Sequence, residues 1–265
     1  MKVAVYTSNQ PRHIALVELL AYHFDQIVAV IESTTVFPGE VDDFYRTSPF
    51  MRQYFQRVLA AERAVFGHQR FLPSCVQCLP VKLGDLSKLS LDSLQLSLDC
   101  DIHVVFGASY IKGSLLDELV RLGALNIHMG VSPYYRGSGC NFWALHDGNA
   151  DLVGATIHRL SSGLDSGDIL LHAIPPISIT DSFELGMRAV EAAHQTLVRL
   201  LVGDKGPISQ VKPIPQNKKH LIRYSRYADF TEEVVEKYLA NIPSESQIRV
   251  QRSDKLRSEL RLSCD

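Results

Sequence analysis

The stretch ALNIHMGVSPYYRGSG (124–139) decides the fold. Leu125 and Ile127 alternate with polar residues, and a period of two is the side-chain period of a β-strand. Asn126 and His128 therefore project together from the other face of that strand. On a helix, the same spacing would turn the two side chains about 200° apart. The sequence thus predicts a buried strand that ends in an amide and an imidazole and continues into a loop rich in Pro, Tyr, Arg and Gly.

Further apolar runs predict the other strands of the same sheet. They are KVAVY (2–6), QIVAVIE (26–32), DIHVVF (101–106), GATIHRLS (154–161) and DILLHAI (168–174). The first three are apolar on nearly both faces, which is typical of parallel strands covered by helices. The last two flank a short turn, and we predict that they pair with each other. Strands that alternate with helices predict an α/β fold with a doubly wound, mostly parallel, Rossmann-like sheet.

Helical periodicity completes this fold and indicates where the chain divides. We predict helices after the first strand, within 41–67, and over 113–121, 141–147 and 231–240. Asp181 and Glu184 have the spacing of a capping box, and apolar residues three or four apart extend the helix behind them to residue 202. The turn-rich GDKGP (203–207) then predicts a boundary between a main domain, 1–203, and a small C-terminal segment, 204–265.

The bulk composition is that of an ordinary globular protein, and it argues against several classes. Of the 265 residues, 46% are hydrophobic and 21% are charged, and the net charge is -2. This balance favours neither nucleic acid nor a membrane as a partner. The first apolar run turns polar too soon for a signal peptide, and no run reaches the ~18 apolar residues of a membrane span. Five cysteines without framework spacing predict a cytoplasmic location.

Three polar residues are expected to meet at one edge of this sheet. Ligands of open α/β sheets bind beyond the carboxyl ends of the strands, where His128 lies and where FGASY (106–110) begins. An Asn amide can donate to an oxygen that develops negative charge, and a His can donate to it or move a proton. Asp165, in the turn SSGLDSGDIL (161–170), offers the carboxylate that this pair lacks. Each residue alone is more often structural, but all three in this order indicate catalysis.

The motifs around these residues resemble a known family. NIH (126–128), SPYYRG (132–137) and GLDSGDIL (163–170) are similar to motifs of the folate-dependent formyltransferases. That family includes methionyl-tRNA formyltransferase, glycinamide ribonucleotide transformylase and the sugar N-formyltransferases. The resemblance extends over 100–202 in motifs and over 1–100 in architecture only. It implies a formyltransferase domain that uses 10-formyltetrahydrofolate as co-substrate, needs no metal, and transfers the formyl group to a primary amine.

The resemblance also implies roles for individual residues. The catalytic set would be Asn126, His128 and Asp165. The residues expected to bind the folate co-substrate are Phe106, Gly107, Ala108, Ser109, Tyr110, Ile111, Ser161, Gly163 and Leu164. The residues expected to face the acceptor are Pro133, Tyr135, Arg136 and Gly137.

The acceptor itself is left open by the sequence. Gly130, Val131 and Ser132 stand where the family usually has Ser-Leu-Leu before the proline. The C-terminal segment is short for the extra domain of the tRNA enzyme, and the chain has no basic excess. We therefore expect a small-molecule amine, an amino sugar or a sugar nucleotide. A methionyl-tRNA, amino-acid or peptide amine remains an alternative, and a homodimer remains open.

Two hypotheses come from other classes of protein. A metal-dependent hydrolase could use His128, Asp165 and His146 as ligands. A non-catalytic folate-binding module could also use the same fold. The intact set of Asn126, His128 and Asp165 argues against such a module.

The remaining motifs are given mostly structural interpretations. Asp168 is the rival carboxylate, but it begins a strand. Arg136 either clamps a phosphate or carboxylate of the acceptor or pairs locally. Cys75 and Cys78 have redox-like spacing, but no second pair completes a zinc site. We interpret Phe142 and Trp143 as core, His158 and His172 as structural residues of the paired strands, and Lys218, Lys219, His220, Arg223 and Arg226 as a solvated basic run.

Overall fold

A seven-stranded sheet runs through the computed structural model, which describes residues 1–33, 48–68, 71–202, 208, 211–253 and 260–261. The strands of the molecule are β1 (Lys2–Ser8), β2 (Gln26–Ser33), β3 (Val76–Lys82), β4 (Ile102–Phe106), β5 (Leu125–His128), β6 (Tyr135–Gly137), β7 (Ala155–Arg159), β8 (Ile169–Ala173) and β9 (Arg223–Ser225). The order in the large sheet is β3-β2-β1-β4-β5-β7-β8. Strands β1 to β5 are parallel, whereas β7 and β8 are antiparallel. The predicted α/β fold with a mostly parallel sheet is confirmed.

One strand of the sheet was not predicted from the sequence. β3 lies at the edge beside β2, and most of its side chains are exposed. It contains Pro80, which has no backbone N–H to donate, so a run with this residue does not read as a central strand. An edge strand tolerates the proline because one side of its backbone needs no partner.

Helices cover both faces of the sheet. They are α1 (Pro11–His23), α2 (Pro49–Phe66), α3 (Gln95–Leu98), α4 (Ser114–Arg121), α5 (Cys140–His146), α6 (Ser182–Val202), α7 (Glu232–Ala240) and α8 (Glu245–Ser253). Side chains of α1 and α6 form the core on one face, and those of α3 and α4 form it on the other. None of the helices in the described part of the chain is long and apolar enough to cross a membrane.

The predicted helices are present with small shifts at their ends. The helix predicted within 41–67 is α2, and residues 41–47 lie outside the described residues. The cap of α6 is Asp181, whose Oδ1 accepts bonds from the backbone N–H groups of Phe183 and Glu184, both at 2.9 Å. Glu184 itself accepts a bond from Arg188 Nε at 3.1 Å, one turn along the helix.

The C-terminal segment shares a core with the rest of the chain. Tyr238, Ile248 and Leu260 are buried in a cluster that also contains Phe142 and Trp143 of α5. β9 pairs in parallel with β6 as a separate two-stranded sheet. The boundary predicted at 203–207 lies outside the described residues, so the division into 1–203 and 204–265 stays a prediction.

Candidate active site

The amide and imidazole predicted on β5 lie beside the first antiparallel strand. In the register of β5 and β7, Asn126 is opposite His158 and His128 is opposite Thr156. Residues directly opposite each other on antiparallel strands share a face of the sheet, so these four side chains lie together. Asn126 Nδ2 is 3.1 Å from His158 Nε2. Strand pairing therefore brings a second histidine to the predicted pair.

The carboxylate predicted from the distant turn reaches the same point. Asp165 Oδ1 lies 3.4 Å from His128 Nδ1 and 3.4 Å from Asn126 Nδ2. Its Oδ2 accepts a bond from the backbone N–H of Gly137 at 3.3 Å. These distances lie at or beyond the long end of the range for hydrogen bonds. The three residues expected to be catalytic thus converge, and their roles stay predictions.

His128 is held between two acceptors. Its Nε2 lies 3.2 Å from the carbonyl oxygen of Tyr135, while Nδ1 faces the carboxylate of Asp165. A carbonyl oxygen and a carboxylate both only accept hydrogen bonds. The ring therefore makes both bonds only when each nitrogen carries a proton. A proton at Nδ1 would be shared with Asp165, which makes this pair a place where a proton can be stored.

His158 is held as the neutral ring with its proton on Nδ1. Its Nδ1 donates to the carbonyl oxygen of Arg159 at 2.8 Å, which leaves Nε2 as an acceptor for the amide of Asn126. Burial lowers the pKa of His158 to about 4, because the charged ring would lose its solvation. A neutral His158 thus fixes which way the amide of Asn126 points. We interpreted His158 as structural from the sequence, and only the register of the two strands could have indicated its place in the site.

A cavity of about 120 Å³ opens next to these groups. Asn126, His158 and Asp165 lie in its wall together with two loops, which we name the donor loop (106–111) and the Asp165 turn (163–167). The predicted folate-binding residues that line it are Ala108, Ser109, Tyr110, Ile111, Ser161, Gly163 and Leu164.

Two residues at the start of the donor loop do not line the cavity, and their contact with the folate stays a prediction. Phe106 is 2% exposed and belongs to the core between His13 and His194, so its side chain does not reach the cavity. Gly107 has a φ of +68°, and a Cβ there would lie 2.2 Å from His13 Nε2. The close approach that its missing side chain permits is therefore that of His13.

A buried carboxylate that was not singled out in the sequence fixes the donor loop. Glu32, at the carboxyl end of β2, is fully buried. It accepts bonds from the backbone N–H and the hydroxyl of Ser109 at 2.6 and 2.8 Å, and from the backbone N–H of Gly84 at 2.8 Å. Hydrogen bonds to an ionised group are stronger than neutral ones. Ser109 lines the cavity, so Glu32 sets the position of one of its walls.

The loop expected to face the acceptor, which we name the acceptor loop (132–138), is partly turned inward. Tyr135 is fully buried, and its hydroxyl bonds to Asp147 at 3.3 Å and to Asn149 at 2.7 Å. Its side chain therefore cannot contact an acceptor, contrary to the prediction, and its carbonyl oxygen holds His128 instead. Pro133 is partly buried, and Arg136 Nη2 donates to the carbonyl oxygen of Leu164 at 2.6 Å. The local pairing of Arg136 is the arrangement observed.

Other predicted features fall outside the site. Asp168 is exposed, and Cys75 and Cys78 are exposed free thiols. His146 bonds to Asp147 at 2.9 Å. Among the described residues, no group of three or more His, Cys, Asp or Glu side chains could hold a metal ion. The ligand set of the hydrolase hypothesis therefore does not form.

Several residues interpreted as structural have clear partners. Phe142 and Trp143 are buried, and the guanidinium of Arg223 lies 4.4 Å from the centre of a Trp143 ring. Arg223 also forms a two-point ion pair with Asp147, with both N–O distances at 2.8 Å, so its assignment to a solvated basic run was wrong. His172 Nε2 lies 2.7 Å from the carbonyl oxygen of Ser132. Lys218, Lys219 and His220 are exposed.

Comparison with known proteins supports the resemblance. Residues 87–201 match the model of the formyl transferase family. Methionyl-tRNA formyltransferase of Koribacter versatilis is 35% identical over 118 residues, which is 44% of this chain and 37% of that protein. The same enzyme of Synechococcus sp. is 32% identical over 119 residues, or 43% of this chain and 37% of that one. The match thus covers little more than a third of these curated relatives.

Solved structures share the fold over most of the chain. A sugar N-formyltransferase from Shewanella sp. has a TM-score of 0.55 at 16% identity, covering 97% of this chain and 89% of that one. Phosphoribosylglycinamide formyltransferase from Anaplasma phagocytophilum has a TM-score of 0.51 at 17% identity, covering 85% and 99%. The predicted resemblance to the formyltransferases is confirmed.

Proposed function

Since residues 87–201 match the formyl transferase family, we propose that the chain is a folate-dependent N-formyltransferase. It would move a formyl group from 10-formyltetrahydrofolate to the primary amine of a small acceptor. The observation that carries the proposal is the convergence of Asn126, His128 and Asp165 beside a cavity at the carboxyl ends of β4 and β5. An amide, an imidazole and a carboxylate at one point suit acyl transfer to nitrogen.

The lining of the cavity fits one end of a folate. Val105, Ile111 and Leu116 offer apolar surface for a flat ring, and the donor loop and Asp165 turn add polar groups at the rim. Whole sites for extended ligands measure roughly 300–1,000 Å³, so a cavity of about 120 Å³ encloses only part of such a molecule. When bound, 10-formyltetrahydrofolate would supply the formyl carbon and its N10 as the leaving nitrogen.

The side chains of the site then have distinct tasks. In transfer, the acceptor amine bonds to the formyl carbon, the bond from that carbon to N10 breaks, and one amine proton is passed on to N10. Asn126 would donate the N–H that now faces Asp165 to the formyl oxygen, where negative charge develops. A single donor of this kind contributes about 10²–10³ in rate. Asp165 and His128 Nδ1 would hold the proton in transit, and the bond to Tyr135 keeps the ring in place.

For the acceptor we propose an amino sugar, either free or linked to a nucleotide. Support comes from the sugar N-formyltransferase fold, which extends over 97% of this chain, including the C-terminal segment. Methionyl-tRNA is the second candidate, because the curated relatives are named methionyl-tRNA formyltransferases. A cytoplasmic location and a homodimer stay predictions.

The test is direct. The protein is incubated with 10-formyltetrahydrofolate and a panel of amino sugars, sugar nucleotides, amino acids and methionyl-tRNA, and both tetrahydrofolate and the formylated product are measured. We expect stoichiometric release of tetrahydrofolate with an amino sugar. Transfer to methionyl-tRNA alone would overturn the acceptor proposal. Binding of the folate without transfer to any amine would favour the non-catalytic module instead.

A further inference from the structure

The carboxylate of Asp165 stands on a left-handed backbone, which glycine adopts freely and which aspartate tolerates in turns. Asp165 has a φ of +46°, and it is the single non-glycine residue with positive φ in the described part of the chain. The left-handed region is still less populated than the right-handed one for aspartate, so contacts to the turn help to keep it there. The bonds that its own carboxylate makes to His128, Asn126 and Gly137 are all 3.3 Å or longer. Shorter contacts act on the turn beside it: Arg136 Nη2 donates to the carbonyl oxygen of Leu164 at 2.6 Å, and Ser161 Oγ lies 3.0 Å from Ser166 Oγ.

The contacts to the carbonyls of Asp165 and Gly167 come from the C-terminal segment. Gln216 Nε2 donates to the carbonyl oxygen of Asp165 at 2.8 Å and to the carbonyl oxygen of Gly167 at 2.8 Å. Both bonds are short, and together they use both protons of the amide nitrogen. The two carbonyls flank Ser166, so one side chain grips the turn on both sides of its tip. Ile214, two residues earlier, exchanges two backbone bonds with Ile169 at 2.8 and 2.9 Å and brings Gln216 into place.

The oxygen of the same amide shows that the two hydrogen bonds require one orientation of the side chain. Gln216 Oε1 is buried and has no hydrogen-bond partner among the described residues. A buried acceptor without a partner is costly. Turning the amide over would place Oε1 against the two carbonyl oxygens, so only the observed orientation satisfies the turn. The two hydrogen bonds from Nε2 are thus made at the cost of an unsatisfied acceptor at Oε1.

We propose that Gln216 is a positioning residue for catalysis, which holds the carboxylate of Asp165 against His128 and Asn126. The inference rests on the proposed formyl transfer and extends it to a residue outside the segment that matches the family. Gln216 touches neither the cavity nor the predicted catalytic side chains, and it acts through the backbone of the turn. Without it, the turn would relax toward a more favourable backbone and draw the carboxylate away.

The test compares the same substitution at two glutamines of the C-terminal segment. Gln216→Met keeps the size of the side chain and removes both donors. The control is Gln251→Met, since Gln251 is also partly buried and also binds the main domain, by accepting a bond from the N–H of Ala150 at 3.1 Å. Gln216→Glu is a second variant that keeps the shape and faces the carbonyls with an acceptor. Thermal unfolding establishes that each variant is folded.

Two readouts separate a positioning role from general stability. Hydrogen–deuterium exchange of the peptide over 161–168, measured on the protein without ligand, should become faster in both Gln216 variants and not in Gln251→Met. In the formyl-transfer assay, kcat should fall between about 10- and 100-fold for Gln216→Met, the size expected for a reacting group misplaced by about 1 Å. Gln251→Met should keep the kcat of the original protein.

Each outcome decides something different. Unchanged exchange over 161–168 in Gln216→Met would overturn the inference, whatever the activity. Faster exchange with unchanged kcat would show that the two hydrogen bonds of Gln216 have no part in turnover. That result would also overturn the inference. Absence of transfer by the unaltered protein with every amine would overturn the proposed function, and the exchange data would then separately show whether Gln216 holds the turn.

Discussion

The two walls of the cavity are held in different ways. The donor loop is fixed by Glu32, which belongs to a central strand and meets Ser109 from inside the sheet. The Asp165 turn and the acceptor loop are fixed by Gln216 and by β9, which lie far along the chain in the C-terminal segment. One wall is therefore part of the sheet, while the other depends on a segment added to it. Changes in that segment would therefore move the Asp165 turn and the acceptor loop and leave the donor loop in place.

The largest effect is expected where the two walls meet. His128→Ala and Asp165→Ala should each lower kcat by about 10²–10⁴, the usual contribution of a proton-transferring group. The matched control is Asp168→Ala, which removes an exposed carboxylate three residues along the same loop and should leave kcat unchanged. Steady-state formyl transfer measures both. Near-normal turnover of either site variant would show that the convergence of these side chains is not catalytic.

The contribution of Glu32 to the position of the donor loop is tested by substitution. Glu32→Gln retains the shape but turns an N–H₂ group toward donors, and we expect the KM for 10-formyltetrahydrofolate to rise roughly 10- to 100-fold, since bonds to a charged group are worth about 1.5–3 kcal/mol. The acceptor KM should change little. The control is Glu62→Gln. Glu62 is another buried carboxylate, it does not line the cavity, and its Oε1 lies 2.8 Å from Arg12 Nη1, so this change should leave both KM values unaltered. Equal rises in both KM values for Glu32→Gln would contradict separate walls.

A buried histidine beside the start of the donor loop should make the stability depend on pH. His194 packs against Phe106, and burial lowers its pKa to about 3. The unfolded chain, with a pKa near 6.5, binds the proton more readily, so the stability is complete above pH 6.5 and is lost as the pH falls. From pH 6.5 to 5 this loss is about 2 kcal/mol at 1.36 kcal/mol per unit.

Urea unfolding at the two pH values measures this dependence. His194→Leu should reduce the difference by that amount, whereas His23→Leu, a change at an exposed histidine of α1, should not. His13, His103, His158 and His172 also have lowered pKa values, so a smaller slope remains in the variant. An unchanged slope in His194→Leu would place the acid sensitivity elsewhere.

The smallest effect is expected at Arg223 of β9, the strand that pairs with the acceptor loop. Arg223→Lys loses the two-point pairing with Asp147 and the stacking on Trp143, and we expect a loss of about 1 kcal/mol in unfolding free energy. Arg121→Lys is the control, because Arg121 forms a similar two-point pair with Glu118 at 2.8 and 2.6 Å on the exposed face of α4. Urea unfolding should show almost no change there. Equal losses would mean that the burial of the pair adds nothing.

Periodicity was enough to predict the parts of the site that lie on one strand. The alternation in β5 places Asn126 and His128 on one face whatever surrounds them, and Asp165 entered through its motif. His158 was assigned a structural role because its position depends on the register between two strands, which neither strand encodes alone. Gln216 carried no local signal, since its partners are backbone carbonyls of a distant turn.

The same limit applies to Phe106 and Tyr135, whose side chains the structure buries. Both stand in loops that the motif places at the ligand, and an aromatic residue in such a loop suits either a binding surface or the core. The choice is made by tertiary neighbours, His13 and His194 in one case and Asp147 in the other. A side chain that points inward can still serve the site through its backbone, as the carbonyl oxygen of Tyr135 does for His128.

The small sheet of β6 and β9 has a consequence for the order of folding. It joins Tyr135–Gly137 to Arg223–Ser225, so a long stretch of chain must close into a loop before these strands can pair. Loop closure costs entropy, and contacts distant in sequence form slowly. We expect the large sheet to fold first, and enzymatic competence to return during renaturation later than the helical circular-dichroism signal.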